Sequence, residues 1–145
     1  MRRFEVTARY LISGCLALFA QSCKPDKWAT PERSYDTFVT ALKKSDQAIA
    51  WEGLSKASRA AIEKDVSAAK AVAGDILKAD GAAWVMSSGK RATGAEQVRV
   101  VERDASHAIL EVKGKGVTFR EQLVFEDGQW KLDLTSRLTP DPKQP

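Results

Sequence analysis

The chain is poor in the residues that usually carry chemistry. Its 145 residues include one histidine and two cysteines. His107 would have to be the base of any Ser-His-Asp triad. Its parity is opposite to that of Ala108, Leu110 and Val112, which puts it on a solvated face or at a strand start. One histidine with so few thiols falls short of a zinc site's ligand demand, so no metal and no cofactor is expected. P-loops are missing too. Gly89-Lys90 and Gly114-Lys115-Gly116 lack the required spacing, and the second reads as a hairpin turn. Neither sign of charge dominates: 23 Lys and Arg stand against 19 Asp and Glu, a net +4. Half of that excess lies in residues 1–9, and Lys43-Lys44, Lys90-Arg91, Lys113 and Lys115 are scattered enough to read as solvated faces. A nucleic-acid partner, which needs a basic stripe, is therefore not expected. No apolar run approaches the roughly 20 residues of a spanning helix.

What is present begins with an address. Arg2, Arg3 and Arg9 precede an uncharged run from Tyr10 to Ala20, and small residues follow. A charged start, a short apolar stretch and a small-residue exit describe a secretory signal peptide over residues 1–22. Ala20-Gln21-Ser22-Cys23 resembles the lipobox of bacterial lipoproteins, in which the cysteine is acylated on sulfur and becomes the first residue. Ala20 stands where that family usually has leucine, and Gln21 is bulkier than its usual neighbour. Ile12-Ser13-Gly14-Cys15 fits the letters more closely, but Leu16–Ala20 continue the apolar run past it. An ordinary signal peptidase could also cut after Ser22, leaving Cys23 first and unmodified. Once Cys15 leaves with the signal, Cys23 is the last thiol and has no partner for an internal disulfide. A lone exposed thiol in an oxidising compartment is a liability, which acylation removes. The resemblance implies lipid attachment at Cys23. With Lys24 following, it further implies an exported protein on the outer membrane, facing the periplasm and joined to the membrane by its N-terminal lipid.

Residues 23–30 read as a polar tether, 31–138 as the folded domain, and 139–145, with three prolines, as a disordered tail. Trp28 suits either the membrane interface or packing on the domain. Thr30 and Pro31 open a first helix with Tyr35, Phe38, Val39 and Leu42 on one stripe. A short second helix ends near Gly53, and Ser55 caps a third that carries Ile62 and Val66. Ile76, Leu77, Trp84, Val85 and Met86 keep the following stretch partly buried, and 87–96 reads as a loop. The period then becomes two, giving strands near 97–103, 106–113, 117–126 and 129–136, with Asp127-Gly128 as a tight turn. Helices followed by a one-sided antiparallel meander mean α+β. Trp51, Trp84 and Trp130 read as core.

One pattern joins these segments. A capped helix with Phe38 and Leu42 leads through Lys43-Lys44-Ser45-Asp46, Ala50-Trp51 and Leu54-Ser55 to four strands. They close on Val124-Phe125-Glu126-Asp127-Gly128-Gln129-Trp130-Lys131-Leu132. This resembles the nuclear transport factor 2-like superfamily, and within it small bacterial lipoproteins built on that cone-shaped domain. The resemblance spans about 30–136 and implies a curved sheet that can wrap a pocket, which some members line with an Asp base. In this sequence Glu121 shares the parity of Phe119, Leu123 and Phe125, so its carboxyl faces the apolar side, where burial raises a pKa. Tyr35 on the first helix can offer a hydroxyl there. These two are the weak catalytic candidates; the bland alternative is a Glu121 at the open rim, solvated or paired to an arginine. Fold does not fix function. The main expectation is a non-enzymatic envelope protein binding a small apolar ligand or a protein. The alternatives are an isomerase- or dehydratase-like enzyme using Glu121, and a homodimer formed through the sheet by Ile109 and Val124.

Overall fold

The computed structural model describes residues 26–74, 80–88 and 94–138. The expected signal peptide, the expected lipid-attachment residue Cys23 and the expected disordered tail at 139–145 lie outside the described residues. The first helix, α1 (Pro31–Lys44), starts where Thr30 accepts a hydrogen bond from Arg33 N, with proline at its first position. It stops at Ser45, whose left-handed φ of 58° turns the chain. Its stripe of Tyr35, Phe38, Val39 and Leu42 is buried. Asp46 caps α2 (Gln47–Glu52) at Ile49 N, and Ser55 caps α3 (Lys56–Ala73) at Ser58 N. Ile62 and Val66 face the core, but no residue of α3 beyond Val66 is buried, and Val72 is 91% exposed. A fourth helix, α4 (Gly81–Ser88), begins where Asp80 accepts from Ala83 N.

Four strands follow: β1 (Gln97–Arg103), β2 (His107–Gly114), β3 (Val117–Glu126) and β4 (Gln129–Asp133). They pair in sequence order, all antiparallel, as short turns require. Asp127 and Gly128, at φ 51° and 80°, make the two-residue β3–β4 turn that positive φ permits. A register shift near Val101 disrupts the outer β1 strand. The α+β expectation holds, with helices first and one four-stranded meander after them. Ala108, Leu110, Val112, Leu123, Trp130 and Leu132 present the buried face, on which α1 lies.

The free edge of β4 is covered by the chain itself. Leu132 N donates to Gly53 O, Ser55 N to Leu132 O, and Trp130 N to Trp28 O. These bonds occupy groups that an open edge would offer to another chain. Trp28 is fully buried under Gly53, and its indole N–H donates to Glu52 Oε1 at 2.8 Å. Lys27 pairs with Glu52 Oε2 at 2.6 Å, while Lys131 Nζ donates to Glu52 O and sits 4.5 Å from the Trp28 ring centroid. Burial lowers the Lys131 pKa. Burial alone would raise the Glu52 carboxyl, but the hydrogen bonds from Lys27 and Trp28 hold it below its ordinary value. So Asp26–Thr30, expected in a tether, belongs to the domain, because an indole of this size finds more contact under Gly53 than in water.

Two further expectations change. The last strand ends at Asp133 rather than near 136, and α5 (Thr135–Leu138) follows. Asp133 Oδ1 accepts from Thr135 N and Thr135 Oγ1, while Leu134 N donates to Ser58 Oγ at 2.7 Å. Those side-chain bonds divert the backbone from the ladder. The segment read as a loop from residue 87 is helical up to Ser88.

Candidate functional site

A cavity of about 720 Å³ lies between α1, α4, α5, the β2–β3 turn and the apolar side of β3. That size suits a small organic ligand. Its floor is made by Tyr35 and Phe38 of α1 with Glu121 and Leu132 from the sheet, all buried. Trp84 and Val85 of α4 form one wall, and Leu134 and Leu138 another. Val117, 60% exposed, stands at the mouth with Ser88 and Lys115.

Glu121 reaches this place through strand parity. It pairs with Leu110 across β2, two residues from Leu123 and Phe119 on the same face, and is only 3% exposed. Arg137 of α5 donates to Glu121 Oε1 at 2.8 Å and, through the same Nη2, to Arg120 O at 3.4 Å. Its guanidinium carbon is 5.8 Å from the Phe119 ring centroid. Burial pushes the Glu121 carboxyl up; the charge and hydrogen bond of Arg137 pull it down without fully offsetting burial. Tyr35 is fully buried, and its hydroxyl has no hydrogen-bond partner among the described residues. Burial raises the Tyr35 pKa, the negative charge of Glu121 adds to that, and Arg137 opposes it. The phenol therefore stays protonated and can donate.

The structure thus brings together the two residues singled out by sequence, Tyr35 and Glu121, on one cavity floor. The rim alternative for Glu121 is half right: the carboxylate has its arginine, but it lies inside. Arg137 itself was not anticipated, because the alternation of Trp130, Leu132 and Leu134 carried the expected strand almost to it. Trp84, read as core, lines the cavity, and so does Lys115, read as part of a solvated face. Trp130 is core, and Trp51 packs half-buried against it. His107 opens β2 in solvent, with Nδ1 2.9 Å from Ser106 Oγ. Ile109 and Val124 are half-buried on the outer face, which also carries the ion pairs of Arg99 with Glu111 and Arg120 with Glu102.

Among the described residues, no group of three or more His, Cys, Asp and Glu side chains could hold a metal, and no helix is long and apolar enough to cross a membrane. Compared with protein-family models, curated proteins and solved structures, the chain finds no match.

Proposed function

We propose that this is a lipid-anchored protein of the bacterial cell envelope, attached through Cys23, whose nuclear transport factor 2-like domain binds a small, mainly apolar ligand without transforming it. The single observation that supports ligand binding is the cavity: about 720 Å³ of mainly apolar-lined space that reaches solvent at Val117 and Lys115. An apolar ligand gains by displacing water from such walls. A non-enzymatic role is favoured by the tie between Glu121 and Arg137, which neutralises the carboxylate instead of leaving it free to move a proton.

Nile red, uncharged and brighter in apolar surroundings, tests the cavity. Binding at one dye per chain is expected, and it should disappear in Ala95→Trp, which places an indole in the lining. Failure to saturate would remove the ligand reading. For the anchor, radiolabelled palmitate should enter the wild type and not Cys23→Ser; label that persists in the variant removes lipidation at that residue.

A second reading has its own support. The partnerless Tyr35 hydroxyl beside a carboxyl pushed upward by burial is what an isomerase or dehydratase would use as donor and base. It requires Glu121 to leave Arg137 when substrate enters. An NMR titration that gives Glu121 an ordinary carboxyl midpoint would end it.

A further inference from the structure

We propose that the occupant of the cavity is a single-chain amphiphile with one carboxylate head, its chain on the aromatic walls and its head at the mouth beside Lys115. This rests on the ligand-binding reading above and adds the chemistry of the ligand. The site is polarised: the floor is closed, while Lys115 and the half-exposed Arg137 stand where solvent enters. Lys115 occupies the β2–β3 turn at φ 50°, followed by Gly116 at φ 78°. Its methylenes run beside Gly94, 3.2–3.7 Å from where a Cβ there would sit. The absence of a side chain at Gly94 lets the lysine lie along the cavity mouth.

Lys115 makes no ion pair among the described residues. Arg137 spends Nη2 on Glu121 and Arg120, leaving Nη1 and Nε without a partner among them. Among the described lining residues Glu121 cancels the charge of Arg137 and leaves that of Lys115, which a single carboxylate matches. A cationic head would meet that like charge. The long dimension supports a chain rather than a compact ring. From Val117 to Glu121 the cavity follows four residues of β3, about 13 Å of extended strand. Phe38, Trp84, Phe119 and Leu138 line that path.

Three probes with the same tail separate the possibilities: dodecanoate, dodecanol and dodecyltrimethylammonium, each titrated into the full-length protein by calorimetry below its micelle concentration. Dodecanoate should bind at least tenfold tighter than dodecanol, and the ammonium compound more weakly than either. Lys115→Gln should bring dodecanoate close to dodecanol, and a circular-dichroism spectrum matching wild type shows that the variant is folded. Equal affinity of dodecanoate and dodecanol, or a Lys115→Gln variant that keeps the preference, overturns the head-group assignment and spares the cavity reading. If none of the three binds and Nile red does not either, both are overturned.

Discussion

Replacing Arg137 with methionine should cost about 2 kcal/mol at neutral pH and almost nothing in acid. The number comes from the asymmetry of the pair. Exposed ion pairs contribute roughly 0–1 kcal/mol, whereas removing one partner of a buried pair costs about 3–5 kcal/mol. Glu121 is 3% exposed and Arg137 49%, so this pair stands between the two cases. Methionine keeps an apolar stem of similar reach, so packing against Phe119 is largely retained. What remains is the electrostatic part. Without Arg137 the carboxyl is left with burial alone, which pushes its pKa further up.

The sign follows from proton counting. Glu121 has its pKa raised on folding, so above the unfolded value, about 4.3, the folded state still holds a proton that the unfolded chain has released. Stability therefore falls as pH rises through that window and levels off above the folded pKa. In wild type Arg137 keeps the window narrow; in Arg137→Met it extends upward and the fall is deeper. Urea denaturation at about pH 3.5, below the unfolded value, should give nearly equal stabilities for the two proteins, and at pH about 7 the full difference. Glu121→Gln in the Arg137→Met background should recover most of it, since an uncharged amide needs no counter-ion. A loss equal at both pH values, or two substitutions whose effects simply add, would refute the reasoning and make Arg137 a packing residue.

Three other substitutions have directions fixed by contacts. Tyr35→Phe removes a buried hydroxyl that lacks a partner and should stabilise the ligand-free protein by about 1 kcal/mol; a lower melting temperature would mean that the hydroxyl is bonded after all. Gly53→Ala would put its methyl 2.8 Å from Trp28 Cη2 and 3.3 Å from Phe38 Cδ2, an overpacking cost of about 1–3 kcal/mol that urea melts would detect as a lower midpoint. Ser58→Ala deprives Leu134 N of its 2.7 Å acceptor and Asp133 of a donor; about 2 kcal/mol should be lost, and hydrogen exchange at Leu134 should quicken more than at Leu110 in the sheet centre.

Local chemistry was legible where one residue type has one reason to be present. Thr30-Pro31, Ser55 and Asp127-Gly128 mark helix starts and a hairpin by cap and φ preference alone. Strand parity alone places Glu121 among apolar side chains. Parity failed where a side chain competes with the ladder. Asp133 and Ser58 come together only in the folded chain, 75 residues apart, and their bonds to Thr135 and Leu134 end the strand and swing Arg137 to Glu121. The helix Gly81–Ser88 was hidden for another reason. Its residues are small or apolar nearly all round, so no polar face marks the period. The Asp80 cap was the available sign. Gly81 is also required by contact, since a Cβ there would lie 2.6 Å from Trp51 Cη2.

The burial of Trp28 changes what an anchor at Cys23 would mean for the ligand. A polar tether to residue 30 would let the domain float above the headgroups. Trp28 is instead held by the Glu52 carboxylate, the Trp130 amide and the Lys131 ammonium. Trp28 is five positions from Cys23, a separation that no chain conformation can stretch beyond about 18 Å. With lipid on that cysteine, Trp28 and the β4 edge it covers would stay within about 18 Å of the bilayer, and Lys27 and Lys131 would share that end of the domain. Their charges favour an anionic surface, by about 1 kcal/mol for each one close to it. Glu52 takes back part of that attraction by pairing with Lys27. The cavity mouth at Lys115 and Val117 lies at the other end of β3, eight residues from Phe125 and its partner Trp130, which is about 26 Å of extended strand. The anchored end and the open end of the domain would therefore be opposite ones, and a ligand would enter from the side that faces away from the lipid.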